Sequence, residues 1–191
     1  FMDKYNVYQD MSRRTGGEIY LGIVGPVRTG KSTFIKRFME LVVIPEMSDD
    51  NEKVRTIDEL PQSADGKTIM TTEPKFIPKE AAAIHFSNQE TGKIRLIDCV
   101  GYLVPEAVGA IEEEKERMVK TPWSEEEIPF SKAAEIGTSK VIREHSNLGL
   151  IITTDGSFGD IPAVNFEEAL QKTVMECEKA GKPFLILVNT S

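Results

Sequence analysis

"GPVRTGKSTF", residues 25–34, decides the fold. Gly25, Gly30, Lys31 and Ser32 satisfy the spacing G-x-x-x-x-G-K-[ST], in which successive backbone N–H groups wrap a β-phosphate and a helix N-terminus adds partial positive charge. Gly30 permits close backbone approach, Lys31 reaches the β and γ phosphates, and the Ser32 hydroxyl ligates Mg²⁺. Val27, Arg28, Thr29 and Thr33 complete the nucleotide-contacting set. The context agrees: "EIYLGIV", residues 18–24, is a short apolar run, and "KSTFIKRFMELVV" places Phe34, Ile35, Phe38, Met39 and Val42 at helical spacing. Strand, loop and helix follow in that order.

Working outward, "AAAIHFS" at 81–87 and "KIRLIDCV" at 93–100 read as an antiparallel pair joined through "NQETG". "LGLIITT" at 148–154 and "PFLILVN" at 183–189 are continuous apolar runs, as strands buried on both faces require. Between them "NFEEALQKTVMECEKAG" is a crossover helix closed by Gly181 and Pro183. The expected fold is α/β, a P-loop NTPase with a mostly parallel central sheet, one antiparallel strand pair and helices on both faces. Residues 1–17 form an N-terminal segment, in which Phe1 is expected to derive from cloning, and 18–191 form the NTPase domain. The chain stops just after a core strand, so a domain truncated at its C-terminus is expected.

Less regular stretches remain. Residues 45–75 are a long polar loop with room for a short helix. "AIEEEKERMV" is a solvated helix face or a flexible insertion, and "TPWSEEEIPFSKAAEIGTSKVIREHS" turns helical near Ser131, the expected N-cap. Trp123 is read as a core residue, with a cover over the nucleotide or a partner as the alternative.

Composition narrows the chemistry. The 191 residues hold 31 acidic and 23 basic side chains, a formal charge of −8, which argues against nucleic acid as the main partner. Two cysteines, Cys99 and Cys177, make no disulfide framework. No apolar run approaches the roughly 18 to 20 residues of a membrane span, and a cytosolic setting is expected. His85 and His145 lack partners at zinc-ligand spacing.

Two further signals join the phosphate loop. In "RLIDCVG", Asp98 ends a strand and Gly101 follows three residues later; such an aspartate holds Mg²⁺ through water and such a glycine amide meets a γ-phosphate. In "TIMTTEPKF", Thr71 and Thr72 are candidates to complete the metal shell and sense the γ-phosphate. Thr72 is favoured because Glu73 and Pro74 place it just before the chain turns to the next strand.

In that order, Gly25–Ser32, Thr71–Thr72 and Asp98–Gly101 resemble the translation-factor class of P-loop GTPases. "RTGGEIYLGIVGPVRTGKSTFIKRFMELVV", "DELPQSADGKTIMTTEPKF", "IRLIDCVGY", "AAEIGTSKVIREHS" and "ITTDGS" resemble, more closely, the N-terminal ATPase domain of the stage IV sporulation protein A family. That resemblance implies ATP hydrolysis with Mg²⁺ driving self-assembly of a shell on the forespore surface. A small amphipathic membrane-bound peptide and other spore-coat proteins would be partners, and any membrane contact would be indirect. The implied site comprises Lys31, Arg28, Thr71, Thr72 and Asp98 in catalysis, with Ser32, Thr72 and Asp98 on the metal.

Departures from the GTPase pattern bear on the base and on hydrolysis. Guanine-specific relatives carry N-K-x-D after the last strand; here Asn189 fits, Thr190 replaces the lysine, and the aspartate position falls past residue 191. Tyr102 stands where many relatives place a water-orienting glutamine. Arg28 resembles the loop arginine that some relatives use as a finger when subunits meet. Two other readings stay open: a GTP-operated switch of the ribosome-assembly type, and a structural assembly protein that binds nucleotide without turnover.

Overall fold

The computed structural model describes residues 16–61, 72–85, 91–107, 111–112 and 115–191. In chain order its main elements are β1 (Glu18–Val24), α1 (Lys31–Phe38), α2 (Asp50–Glu59), β2 (Lys75–His85), β3 (Thr91–Asp98), β4 (Met118–Thr121), β5 (Ser124–Pro129), α3 (Phe130–Lys140), β6 (Leu148–Thr154), α4 (Glu167–Lys179) and β7 (Phe184–Asn189).

Five strands form one sheet in the order β2-β3-β1-β6-β7. β1 runs parallel to β3 and β6, β7 runs parallel to β6, and β2 alone is antiparallel. The mixed sheet expected from the sequence is therefore present. Alternation along each strand sends side chains to two faces. Leu21, Ile23, Leu96, Leu150 and Ile152 pack with Ile35, Met39 and Val43 on one face. Val24, Ile97 and Ile151 pack with Val141, Ile142 and Cys177 on the other. Helices thus cover both faces, and the parallel strands all end at one edge, where open α/β sheets bind ligands.

Local chemistry accounts for the helix boundaries. Asp49 caps α2 by accepting from the amides of Asn51 at 2.7 Å and Glu52 at 3.1 Å, so the loop of 45–75 does hold a short helix. α4 ends in Gly181, whose φ of +64° is the left-handed turn glycine tolerates. Among the described residues no helix is long and apolar enough to cross a membrane.

Four sequence expectations are corrected. Ser131 does not cap α3: the helix begins at Phe130 after Pro129, and the Ser131 hydroxyl instead donates to Glu116. The acidic stretch is not helical where described. Ile111–Glu112 pairs with Lys115–Glu116, and β4 pairs with β5 around Pro122 and Trp123, since these two residues bend the chain between Thr121 and Ser124. β2 starts at Lys75 rather than 81 and carries an irregularity between Ile77 and Ala82, where Pro78 has no N–H for the ladder. β7 was expected to be buried on both faces; as an edge strand with only β6 beside it, it leaves Leu185, Ile186, Leu187 and Val188 exposed.

Candidate functional site

The loop after β1 is held by contacts only glycine allows. A β carbon on Gly25, at φ +128°, would sit 2.4 Å from the Ile152 carbonyl oxygen. One on Gly101, at φ +93°, would sit 2.1 Å from the Gly25 carbonyl oxygen and 2.8 Å from Lys31 Nζ. Gly101 therefore lies directly on the phosphate loop. Two backbone bonds fasten it there: the Val27 amide donates to the Tyr102 carbonyl at 2.9 Å, and the Tyr102 amide donates to the Gly25 carbonyl at 3.3 Å.

α1 opens toward this loop without a side-chain cap and without an acidic residue in its first turn. Its cap is Gly30, at φ +91°. The first amides of a helix lack intrahelical partners, so this end offers donors to an anion rather than to its own side chains. Ser32 and Thr33 are exposed on that first turn. Thr29 is buried and donates its hydroxyl to the Pro26 carbonyl at 3.0 Å. Asn189, at the end of β7, donates to the Thr29 carbonyl at 3.2 Å and so supports the loop from the sheet.

Charge is concentrated between the loop and β3. Lys31 is only 6% exposed, and its ammonium donates to the Pro26 carbonyl at 2.5 Å and the Gly25 carbonyl at 3.5 Å. Burial pushes its pKa below the ordinary lysine range, opposed by Cys99 and Asp98. Burial likewise pushes the Asp98 carboxyl up, opposed first by Lys31 and then by the Ser32 hydroxyl. Ser32 Oγ donates to Asp98 Oδ2 at 3.3 Å. Asp98 Oδ1 is buried and has no hydrogen-bond partner among the described residues. An orphaned carboxylate oxygen is costly and is the kind of atom a cation would satisfy.

The remaining expected residues fall into two groups. Thr72 is buried just ahead of β2, and the first residue of that strand, Lys75, pairs in register with Asp98. Thr71 lies outside the described residues. Arg28 is exposed, with φ at +65°, a left-handed conformation unusual for a residue with a side chain. No cluster of three or more His, Cys, Asp and Glu side chains suits a metal among the described residues; one carboxylate with hydroxyls is the donor set present.

The family described as "Stage IV sporulation protein A, ATPase domain" matches residues 2–191. The chain belongs to this family. Among its relatives, stage IV sporulation protein A of Bacillus subtilis (strain 168) is 56% identical over 189 residues, covering 99% of this chain and 38% of the relative. The Bacillus anthracis protein of that name is also 56% identical, with the same coverage. The Clostridioides difficile (strain 630) protein is 50% identical over 185 residues, 97% of this chain and 38% of its own. The chain thus spans 38% of the length of the relatives it matches.

Within this member of the stage IV sporulation protein A ATPase-domain family, the backbone support that Tyr102 gives the loop escaped the sequence reading, which weighed only its side chain. Tyr102 is buried, its phenol pushed upward by burial, with Lys172 Nζ 4.9 Å from its ring centre. Its part is backbone pairing to the loop, which no residue pattern announces.

Proposed function

We propose that this chain is the nucleotide-hydrolysing unit of a stage IV sporulation protein A, cleaving ATP with Mg²⁺ and coupling hydrolysis to self-assembly. The observation that carries the reading is the meeting of Ser32 and Asp98 at 3.3 Å, with an orphaned Asp98 oxygen beside the buried Lys31 ammonium. Mg²⁺ favours oxygen ligands, keeps several waters and commonly takes one or two carboxylates plus substrate phosphates; the donors at hand fit. Ser32, Asp98 and Thr72 would hold it, and it would supply positive charge against the β and γ phosphate oxygens.

The chain's own groups do the rest. The amides of residues 28–33 receive the phosphates, and Lys31 exchanges its carbonyl partners for phosphate oxygens. The Gly101 amide reads the γ-phosphate. Hydrolysis forms a bond from the water oxygen to the γ phosphorus and breaks the bond from that phosphorus to the bridging oxygen. ADP leaves with the electron pair, one water proton stays on the released phosphate as its P–OH, and the other passes to solvent or to a second phosphate oxygen. Tyr102 offers no amide side chain to orient that water. Arg28, exposed in the isolated chain, turns onto the phosphates when copies associate and neutralises charge as it develops, an effect worth on the order of 10³ to 10⁵ in rate. The choice of ATP over GTP rests on membership of the ATPase-domain family, with which Thr190 in place of the lysine of the guanine-reading motif is compatible.

The setting that accompanies this chemistry is sporulation, with a coat layer assembling at the forespore surface in the mother-cell cytoplasm. A small amphipathic membrane-bound peptide and other coat proteins would be the partners. Phosphate release at several protein concentrations, with ATP and GTP separately and in competition, tests the reading against Lys31→Ala. ATP-selective turnover that rises per molecule with concentration is expected. GTP preference at constant specific activity would overturn both the nucleotide and the coupling.

A further inference from the structure

Glycine weakens a helix interior relative to alanine, so Gly137 within α3 calls for a reason. The reason lies outside the helix. A β carbon at 137 would stand 2.6 Å from the Thr72 carbonyl oxygen and 3.9 Å from Trp123 Cη2. Gly137 and Thr72 are both buried. Trp123 lies in the turn between β4 and β5, and its indole N–H is buried with no acceptor among the described residues. The next helix residue, Thr138, lies close to the Cys99 thiol, which directly follows Asp98, while its hydroxyl donates to the Ala134 carbonyl at 2.8 Å. One turn of α3 thus touches both segments that carry the expected metal contacts.

We propose that Gly137 is a notch in α3 that seats the backbone of Thr72, with Trp123 closing its outer side, so that Gly137 and Trp123 are positioning residues for the threonine that meets Mg²⁺ and the γ-phosphate. This rests on the role given to Thr72 above. A hydroxyl that must meet a metal and a phosphate works only if its backbone is held to a fraction of an ångström. A segment leading into a strand has no such precision alone. Seated against a helix wall where no side chain intervenes, it acquires it. The same contact makes the indole an observer of the segment.

Two measurements on the 191-residue chain, in which Trp123 is the only tryptophan, test the notch. The first is tryptophan emission with Mg²⁺ and either ADP or a non-hydrolysable ATP analogue. The second compares turnover and ADP affinity for Gly137→Ala, Thr72→Ala and the double variant. The expected result is an emission change with the triphosphate analogue that ADP does not produce. Gly137→Ala lowers kcat at least tenfold with ADP affinity unchanged within twofold, and adds less than twofold in the Thr72→Ala background, because the two act through one contact. Loss of ADP affinity in step with turnover, or a full additional factor on top of Thr72→Ala, overturns the notch. Should Gly137→Ala lose its helical circular dichroism, Trp123→Ala makes the same comparison without adding atoms. If the wild-type chain turns over no faster than Lys31→Ala, the hydrolysis reading fails; the notch then stands or falls on whether the two nucleotides give different emission.

Discussion

Ser32 and Asp98, 66 positions apart in sequence, meet at 3.3 Å, hydroxyl donating to carboxylate. The contact joins the first turn of α1 to the end of β3, and the other Asp98 oxygen has no partner among the described residues. Asp98→Asn preserves the side-chain shape and removes the charge. The Mg²⁺ concentration for half-maximal phosphate release should rise at least tenfold. Nucleotide binding without metal should change little, since the loop amides and Lys31 are intact; a calorimetric titration of ADP with and without Mg²⁺ separates the two.

Arg28 holds a left-handed backbone that costs a residue with a side chain roughly 1 kcal/mol or more and costs glycine almost nothing. Arg28→Gly should therefore raise the unfolding free energy of the nucleotide-free protein by about 1 kcal/mol, while turnover falls and loses its dependence on protein concentration. An unchanged turnover rate would remove the arginine from the chemistry. A fall in stability would mean its side chain has a structural partner.

Gly25 is pressed against β6 at the start of the loop. Gly25→Ala forces a methyl to 2.4 Å from the Ile152 carbonyl oxygen at φ +128°, and both the clash and the backbone conformation oppose it. A loss of at least about 3 kcal/mol in urea denaturation is expected. Since the clash is with β6, the unfolding midpoint should drop even with no nucleotide present.

Cys99 and Cys177 are both buried, and burial raises each thiol pKa to about 11. A raised thiol pKa keeps the neutral form, so at pH 8 the reactive thiolate is depleted on the order of a hundredfold relative to an ordinary cysteine. Ellman's reagent should label the native chain slowly at pH 8 and both cysteines promptly in denaturant. In the native chain, labelling should accelerate only as pH climbs toward 11.

Much of this architecture was written in local pattern. Gly25, Gly30, Lys31 and Ser32 specify a loop whose spacing leaves one geometry, and the apolar runs of β1 and β6 announce strands. Asp98 was placed correctly at a strand end because the alternation of 93–98 runs out there. What was not legible depends on neighbours distant in sequence. The acidic run before β4 reads as a solvated helix and the glutamates of β5 read as irregular chain, and only the pairing of β4 with β5 decides for the latter. Ser131 looked like a cap, but Glu116 competes for its hydroxyl. β7 has the composition of a central strand and the position of an edge, and composition cannot report position. Asn189 was legible as the first position of the base-reading motif, but its donation to the loop carbonyl of Thr29 joins residues 160 positions apart and no local pattern shows it.

The exposed run of β7 has a consequence for how the 191-residue chain behaves as a colloid. Leu185 and Val188 are 60% and 57% exposed, on a strand whose outer edge has no strand partner among the described residues. Such an edge is a ready template for another strand. Light scattering from this chain should rise with concentration even without nucleotide, through contacts at β7 that owe nothing to hydrolysis. Adding a lysine in mid-strand, as in Leu187→Lys, should suppress that scattering and leave any ATP-driven assembly standing clear of it.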